Sequence, residues 1–409
     1  MDLVLRNARV IGTNGDAPVD IGIAGGKIVA IEDDLAAGAE ALDVGGRMVG
    51  PGFIETHIHL EKSCILERCT SEKGDLEEAI EQVASAKQAF TAEDCRERAV
   101  RTLEKCLRHG TTHMRTHLEV DPVIGLRSLE GILPLIDDYK WAIDLEICVF
   151  PQEGLLNNPG TDELMVEGLK RGCKVVGAAP YTDSDPKGQI DRVFEMAREF
   201  DVDIDMHLDF GPDHEELDIL YVCDLADKFK YGGRVAVGHV TKLSTMAMDK
   251  FDIIAKRVAD AGVAVTVLPS TDLFLMGRHM DHDVMRGVVP VHRMLESGVN
   301  CSLSSNNVLN PFTPFGDCSL IRMANLYANV CHVGKRDDVV ECLNMVTERS
   351  ARLMRLDGYG VAVGNDADLV VHDCQDPATA VAELVPPVYG FKRGRRTFTR
   401  EPAVLHRPH

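Results

Sequence analysis

The stretch PGFIETHIHLEKSCILERC, residues 51–69, decides how the rest of the chain is interpreted. A β-prone run that begins at Phe53 leads directly into His57-Ile58-His59. Side chains two residues apart on a strand point the same way, so His57 and His59 can reach into one space. Two imidazoles on one rigid element can supply half of a metal site. The triplet is short, and two partly buried histidines with ordinary hydrogen bonds explain it as well in isolation, so the remaining sequence must decide.

Seven further β-prone runs follow this one at a regular interval. They are Thr111–His117, Ile143–Phe150, Cys173–Ala179, Asp203–Leu208, Arg234–His239, Val263–Leu268 and Val299–Ser305. Apart from longer first and last excursions, their starts lie about 30 residues apart, which is the length of a βα unit. Helical patterns fill the gaps, for example over Asp75–Phe90, Asp191–Phe200 and Met246–Ala261. Eight strands alternating with helices predict an α/β fold, a (β/α)8 TIM barrel. An open doubly wound sheet also alternates, but no glycine-rich phosphate fingerprint follows any strand.

The two ends of the chain share a different texture. Residues 1–50 and 358–409 contain short β-prone runs separated by turn signals such as Asn14-Gly15 and Gly25-Gly26. We expect these two segments to pair into one small β-sandwich domain, and residues 51–357 to form the barrel. A length of 409 residues suits one large barrel with a minor domain.

Composition excludes some classes of partner. The chain has 44 Lys+Arg against 65 Asp+Glu, a net charge of −21, which argues against nucleic acid and anionic membranes because both attract positive surfaces. Its 12 cysteines contain no C-x-x-C pair, and the N-terminus has no apolar signal core. No apolar run approaches the ~18 residues of a membrane span. We therefore expect a cytoplasmic protein with reduced cysteines that binds a small molecule and neither nucleic acid nor membrane.

Polar residues recur where the predicted strands end, which is where barrel enzymes place their catalytic groups. These residues are His57 and His59 on strand one, His117 on strand two, Gln152 after strand three, His207 on strand five, His239 on strand six, Asp272 after strand seven, and Asn306 and Asn307 after strand eight. Four strands thus place imidazole near one rim, and neutral imidazoles suit a divalent transition metal. His109 and His113 are interpreted as structural.

The segments PGFIETHIHLEK, RTHLEVD, FPQEG, DIDMHLDF, VGHVT and NNVLNPFTPFG carry a resemblance that covers nearly the whole chain. The sequence resembles the amidohydrolase superfamily, in the branch of cytosine deaminase and N-isopropylammelide isopropylaminohydrolase. HIHLEK, with Lys62, is closer to the ammelide hydrolase. The resemblance implies a barrel with a small β-domain, one divalent metal ion per chain (zinc or iron), hydrolysis of C–N bonds in small nitrogen heterocycles, and a homo-oligomer.

Matched position by position, the resemblance implies particular roles. His57, His59 and His207 correspond to the metal histidines. His239 corresponds to the histidine that polarises the attacked carbon and orients the water, and Gln152 to a substrate contact. No lysine ends strand four, which favours one metal ion over two.

Two departures set this chain apart from the deaminases it resembles. Asn306 stands where they have an aspartate that binds metal and accepts a proton, and asparagine cannot act as a base. Phe210 stands where cytosine deaminase has a proton-shuttling glutamate. General-base assistance is worth ~10²–10⁴-fold in rate, so a replacement is expected. The candidates near strand ends are His239, ranked first because imidazole titrates near neutral pH, then Asp272, Asp209 and Glu119.

The sequence therefore predicts a metal-dependent hydrolase of C–N bonds in a small nitrogen heterocycle or cyclic amide or amidine, with a water activated by the metal as nucleophile. The predicted catalytic residues are His239, Asp272 and Lys62, and the predicted substrate contacts are Lys62, Gln152, Asn306, Asn307 and Phe210. Two alternatives stay open. One is a ring-opening or amide-cleaving amidohydrolase with an altered proton relay, and the other is a barrel that binds a small molecule without turnover.

Overall fold

A computed structural model describes residues 1–12, 17–36, 38–401 and 403–407. The turn predicted at Asn14-Gly15 lies outside these residues. The described residues contain sixteen β-strands. They are β1 Leu3–Val10, β2 Val19–Ala24, β3 Lys27–Glu32, β4 Glu40–Asp43, β5 Met48–Pro51, β6 Phe53–Ile58, β7 Thr111–Glu119, β8 Asp144–Phe150, β9 Val175–Val176, β10 Asp203–Leu208, β11 Val235–His239, β12 Val263–Val267, β13 Cys301–Leu303, β14 Leu369–His372, β15 Pro387–Lys392 and β16 Arg395–Thr399.

Fourteen α-helices occur in the same part of the chain, most of them between the barrel strands. They are α1 Leu76–Ala86, α2 Ala92–Arg108, α3 Arg127–Ile132, α4 Leu135–Tyr139, α5 Thr161–Lys170, α6 Pro186–Phe200, α7 Asp218–Phe229, α8 Met248–Asp260, α9 Pro269–Leu275, α10 Val291–Glu296, α11 Leu320–Val330, α12 Arg336–Asn344, α13 Glu348–Leu353 and α14 Pro377–Ala382.

Strands β6 to β13 form one parallel sheet in sequence order. The sheet comes round on itself where β6 meets the end of β13. There the Asn306 N–H donates to the His57 carbonyl at 2.9 Å, and the His59 N–H donates to the Asn306 carbonyl at 2.9 Å. Every predicted barrel strand is present, although β9 is only two residues long. The predicted (β/α)8 barrel is confirmed, and the closure brings the first and last site segments together.

Helix α2 shows how local sequence sets the helix boundaries. It begins after Thr91, whose side chain accepts a hydrogen bond from the Asp94 N–H and so caps the first turn. Its buried face includes Ala99 and Leu103, spaced by one turn. It ends just before Gly110, whose φ of +90° takes the chain into β7 at little steric cost.

The terminal strands form a separate sheet assembly with its own core. Strand β1 pairs with β2 along one edge, and along its other edge with β4 near its start and with β5 near its end, so it belongs to two sheets. Strands β14, β15 and β16 from the C-terminus extend the second sheet from β5. One apolar cluster, which includes Leu5, Ile23 and Phe391, lies between these sheets. The two ends therefore pair as expected, while the exact division at residues 50 and 358 stays a prediction.

Strand β14 joins the small domain to the barrel. Val370 belongs to the barrel core, whereas Val371 belongs to the core of the small domain. Lys392 reinforces the junction because its ammonium group lies 2.6 Å from Asp368 and 2.8 Å from Asp144. Among the described residues no helix has the length and apolarity to cross a bilayer.

Candidate metal and active site

Three imidazoles converge at the carboxyl end of the barrel. His57 Nε2 lies 3.1 Å from His207 Nε2, and His59 Nε2 lies 3.0 Å from the same atom. All three side chains are buried. A tetrahedral zinc ion with Zn–N bonds of about 2.0–2.1 Å needs nitrogen atoms about 3.3 Å apart. Each of these two separations therefore fits a pair of ligands of one ion.

The electrostatic environment keeps these imidazoles neutral. Burial is the largest cause that lowers the pKa of His57, His59 and His207 well below its usual range. Positive charge on a neighbouring side chain lowers each pKa further. The main neighbour is His117 for His57, Lys62 for His59 and His57 for His207. Neutral imidazoles offer the lone pairs that a metal ion needs.

Two close neighbours hold the His57 ring in place. His117 stacks on one face with ring centroids 3.7 Å apart and an interplanar angle of 25°. Gly238 lies against the ring, since a Cβ at that position would lie 3.1 Å from His57 Cε1. A larger residue at position 238 would therefore displace the ring. The neighbouring predicted ligand His59 has Glu61 beside it, with His59 Nδ1 3.3 Å from Glu61 Oε1.

His239 and Asp272 form a hydrogen-bonded pair beside this cluster. His239 Nδ1 lies 2.5 Å from Asp272 Oδ1, and Asp272 Oδ2 accepts the Leu268 N–H at 3.1 Å. Ring nitrogens of His57, His207 and His239 all lie within 4.8 Å of one another. Because Asp272 engages Nδ1, His239 directs Nε2 towards the other imidazoles.

Backbone strain accompanies the site at two strand ends. His239 has a φ of 72° and Asn306 a φ of 60°, both in the left-handed region. Such positions cost ~1–3 kcal/mol each and cluster at functional sites. The turn at Asn306 brings its Nδ2 to 3.4 Å from His239 Nε2 and leaves its buried Oδ1 without a hydrogen bond. A neutral carbonyl oxygen is thus available beside the imidazoles.

The inner cavity is small, and both polar and apolar side chains line it. Its lining comprises His59, Leu76, Gln152, Tyr181, His207, Phe210, His239, Thr271, Leu275, Asn306, Asn307 and Phe312. Its free volume is about 10 Å³, close to the room for one water molecule. An outer vestibule of about 560 Å³ adjoins it. Leu76, Phe210 and Leu275 line both spaces, so they separate the predicted metal ligands from the vestibule.

Two predicted catalytic residues lie one contact behind the cavity. Asp272 contacts the lining residue His239, and Lys62 contacts the lining residue Gln152. Lys62 Nζ donates to Gln152 Oε1 at 3.0 Å and lies 3.6 Å from Glu119. Lysine can only donate, so this contact fixes the orientation of the Gln152 amide. Gln152 Nε2 is buried without a hydrogen bond and is free to donate to a bound molecule.

The structure separates the candidate replacement bases. Asp209 Oδ1 and Oδ2 accept the N–H groups of Asp218 and Ile219 at 2.9 and 3.0 Å, which commits this carboxylate to the start of α7. Glu119 faces Lys62 and does not line the cavity. His239 is the remaining candidate with a ring nitrogen directed into the site.

Sequence reasoning missed several side chains that the fold brings to this centre. Asp205 lies fully buried beneath His57 and His117, and Tyr181 and Thr271 line the cavity. The spacing of Asp205, two residues before His207 on one strand, was a usable signal because both side chains point into the barrel. The other two carry no comparable local pattern.

A cluster of neutral histidines at the carboxyl end of a (β/α)8 barrel, with a carboxylate-supported histidine beside it, defines the class of metal-dependent barrel hydrolases. The comparison with known families agrees. The sequence model of the amidohydrolase family matches residues 48–397. This chain belongs to the amidohydrolase family, and it is a hydrolase of carbon–nitrogen bonds other than peptide bonds.

Individual relatives fall in the predicted branch. The chain is 28% identical over 408 residues to N-isopropylammelide isopropyl amidohydrolase of Pseudomonas sp. (strain ADP), covering 96% of each chain. The structure of 5-methylcytosine deaminase from Klebsiella pneumoniae superposes with a TM-score of 0.94 at 27% identity, covering 99% of each chain. That of N-isopropylammelide isopropylaminohydrolase from Burkholderia multivorans gives 0.84 at 26% identity, covering 97% of this chain and 98% of the other.

Proposed function

We propose that this protein hydrolyses a C–N bond at an sp² carbon of a small, flat nitrogen heterocycle, a cyclic amide or amidine. The observation that carries the proposal is the convergence of His57, His59 and His207 through their Nε2 atoms beside the His239–Asp272 pair. The proposal also draws on the relatives, whose names include ammelide, pterin and 5-methylcytosine hydrolases.

His57, His59 and His207 would hold one divalent ion, zinc or iron, and the buried Asn306 carbonyl oxygen lies beside them. When bound, the ion supplies Lewis-acid activation of water. The donor set fits such an ion because it consists of neutral nitrogen atoms. The unsatisfied Oδ1 of Asn306 supports the same assignment, since a buried acceptor without a partner costs about 1–3 kcal/mol.

His239 Nε2 is the atom that carries the proton. Asp272 holds Nδ1–H, which fixes the tautomer and stabilises the imidazolium that forms when Nε2 takes a proton from the nucleophile. The same proton can then pass to the departing nitrogen. This pair takes over the role that Asn306 cannot perform.

The walls favour a planar substrate that bears a hydrogen-bond acceptor. Phe210, Phe312 and Leu275 present apolar surfaces, and Leu76 closes the side towards the vestibule. Gln152 directs its Nε2 donor to the cavity because Lys62 occupies its oxygen. A ring carbonyl or an unprotonated ring nitrogen meets this requirement. Asn307 completes the polar part of the lining.

Deamination and ring opening both satisfy this geometry. Phe210 puts an apolar ring 5.2 Å from the His239 ring, where the deaminases in the resemblance have a carboxylate. A substrate whose ring nitrogen must be protonated is disfavoured there. Cleavage of a ring amide, which needs one proton delivered to the departing nitrogen, therefore stands as the second candidate.

The test is a hydrolysis screen with protein loaded with Zn²⁺ or Fe²⁺. Pyrimidines, triazines, hydantoins and lactams are followed in parallel for ammonia or amine release and for ring opening. We expect turnover of at least one class in the wild type and its loss, together with bound metal, in a His207→Asn variant. A metal-loaded protein that cleaves none of them contradicts the proposal and favours the barrel that binds without turnover.

We also propose a homo-oligomer in the cytoplasm that binds neither nucleic acid nor membrane. The net charge of −21 supports the exclusion of anionic partners, and all twelve cysteines are free, in accord with a reducing compartment. Sedimentation of the purified protein tests the oligomeric state.

A further inference from the structure

A buried carboxylate lies beneath the imidazole cluster and has one oxygen without a hydrogen bond. Asp205, on β10, receives a hydrogen bond from Arg115 to Oδ2 at 2.8 Å. Its Oδ1 lies 3.4 Å from His117 Nε2 and 3.9 Å from His57 Nδ1. Both Asp205 Oδ1 and His57 Nδ1 are buried and without hydrogen-bond partners.

This cluster could be a second metal site or a support for the first one, and the charge of its neighbours distinguishes the two. Ligand atoms of His57, His117 and Asp205 lie within 4.8 Å of one another, which alone would suit a second metal ion. Arg115, however, brings a permanent positive charge to the same carboxylate, and its other edge pairs with Glu146 at 2.6 Å. A cation placed there would face a guanidinium in a fully buried setting, where charge repulsion is weakly screened. The cluster is therefore a poor second metal site.

We propose that Asp205 is a positioning residue for the metal ligand His57, accepting its Nδ1–H so that the Nε2 lone pair faces the ion. The inference rests on the proposed metal site. Carboxylates that accept the outer N–H of a ligating histidine fix its tautomer and orientation. The His57 ring cannot turn away, because His117 stacks on one face and Gly238 packs against it.

Asp205 Oδ1 and His57 Nδ1 need only a small movement to form this hydrogen bond. A hydrogen bond of about 2.9 Å between nitrogen and oxygen needs an approach of about 1 Å from the present 3.9 Å separation. That movement would pair Asp205 Oδ1 with His57 Nδ1, while His117 Nε2, which also has no hydrogen bond, lies beside the same oxygen. Arg115 holds the carboxylate from the opposite side, so Asp205 stays aimed at the imidazoles.

The test compares Asp205→Asn with Glu146→Gln. Both variants remove a carboxylate from Arg115, but only Asp205 faces His57. Zn²⁺ affinity is measured by competition with a fluorescent chelator, zinc content by elemental analysis, and the unfolding midpoint on the metal-free proteins. We expect Zn²⁺ affinity to fall about 10–100-fold in Asp205→Asn and to stay within about threefold of wild type in Glu146→Gln. Both variants are expected to lower the unfolding midpoint.

Three results would overturn the inference. One is an unchanged Zn²⁺ affinity in Asp205→Asn, and another is an equal loss in both variants, which indicates only the ion pair with Arg115. The third is a wild type that binds two zinc ions and loses one of them on substitution. If Asp205→Asn does not fold, Asp205→Glu retains the charge for Arg115 but displaces the oxygen from His57, and the same loss is expected. A wild type that holds no divalent ion contradicts the proposed function itself, and this inference with it.

Discussion

His239 is the residue that we propose as the proton carrier in a chain that lacks the carboxylates expected from the resemblance. Its Nδ1 is engaged by Asp272 at 2.5 Å, so the proposed proton transfer falls to Nε2, which lies 3.4 Å from Asn306 Nδ2. Burial raises the pKa of Asp272, while the contact with His239 opposes that rise. The pair therefore depends on its own hydrogen bond to keep the carboxylate charged and the imidazole oriented.

An Asp272→Asn variant removes that charge with little change in shape. We expect kcat to fall about 10²–10⁴-fold while Zn²⁺ content stays at the wild-type level, since proton transfer loses its support. Steady-state kinetics on the substrate found by the screen, with metal analysis, make the measurement. Asp209→Asn is the matched control, because that buried carboxylate binds the start of α7 instead. Equal losses of kcat in the two variants would contradict the assignment of His239 as the proton carrier.

Asn306 is the second residue whose identity sets this chain apart. Its Oδ1 is buried and unpartnered next to the predicted ligands. An Asn306→Asp variant places an anion there, and a unit charge about 4 Å from a cation contributes several kcal/mol at the dielectric typical of protein sites. We expect Zn²⁺ affinity to rise at least about tenfold, measured by chelator competition.

Asn307→Asp provides the comparison for that substitution. Asn307 lines the same cavity, but its Oδ1 accepts a hydrogen bond from Asn310 at 2.7 Å. We expect a smaller gain in affinity there. A gain as large as that of Asn306→Asp would indicate a general effect of negative charge and not a ligand position.

Access to the site is controlled by the elements around the barrel mouth. Leu76 opens α1, Phe210 follows β10, and Leu275 ends α9, and together they separate the inner cavity of about 10 Å³ from the vestibule of about 560 Å³. A ring system cannot occupy the inner cavity unless these side chains move apart. Substituents on the substrate would then extend into the vestibule.

Shortening Leu275 tests this barrier. In Leu275→Ala we expect kcat/KM for ring substrates with a bulky N-substituent to rise about tenfold relative to that for the unsubstituted ring, since one apolar contact is worth that much discrimination. The unfolding free energy should fall by about 2–5 kcal/mol because Leu275 is buried. Leu273→Ala, on the same helix but lining a different pocket, is the control. If Leu275→Ala leaves the ratio of kcat/KM between substituted and unsubstituted rings unchanged, Leu275 does not limit entry to the site.

The elements that sequence reasoning located are those with a periodic signal. The barrel strands follow from hydrophobic runs at βα spacing, and the strand ends give the candidate histidines. The choice of His57, His59 and His207 among them comes from the resemblance. Contacts between distant segments escaped it. The Lys62–Gln152 hydrogen bond joins residues 90 apart, and the approach of Asp205 to His57 depends on barrel closure. The sequence places Asp205 on the inward face of its strand but does not show which side chain it meets, and nothing local indicates the Lys62–Gln152 contact. The lengths of β9 and β13 are likewise decided by tertiary packing.

At the scale of the whole molecule, the barrel and the small domain share a buried junction along β14. His372, the last residue of this strand, is buried with its ring 5.6 Å from that of Phe53, the first residue of the barrel sheet. Its Nδ1–H donates to the Val385 carbonyl at 3.1 Å. Protonation of this ring would place a charge between the two cores, so the junction is sensitive to acid.

Burial lowers the pKa of His372 from 6.5 to about 4. Between these two values the unfolded chain binds more protons than the folded chain, so the stability contributed by the neutral ring is complete above pH 6.5 and is lost as the pH falls towards 4. Between pH 7 and pH 5 the loss amounts to about 2 kcal/mol.

A His372→Gln variant keeps a donor for Val385 but does not titrate. We therefore expect its stability to fall by about 2 kcal/mol less than that of the wild type over this interval. Denaturant unfolding of the metal-free proteins at both pH values makes the measurement, with the exposed His406→Gln as control. Because the predicted ligand histidines and all other titratable groups are common to the wild type and His372→Gln, an equal pH dependence in these two proteins would place the acid-sensitive group elsewhere than the junction.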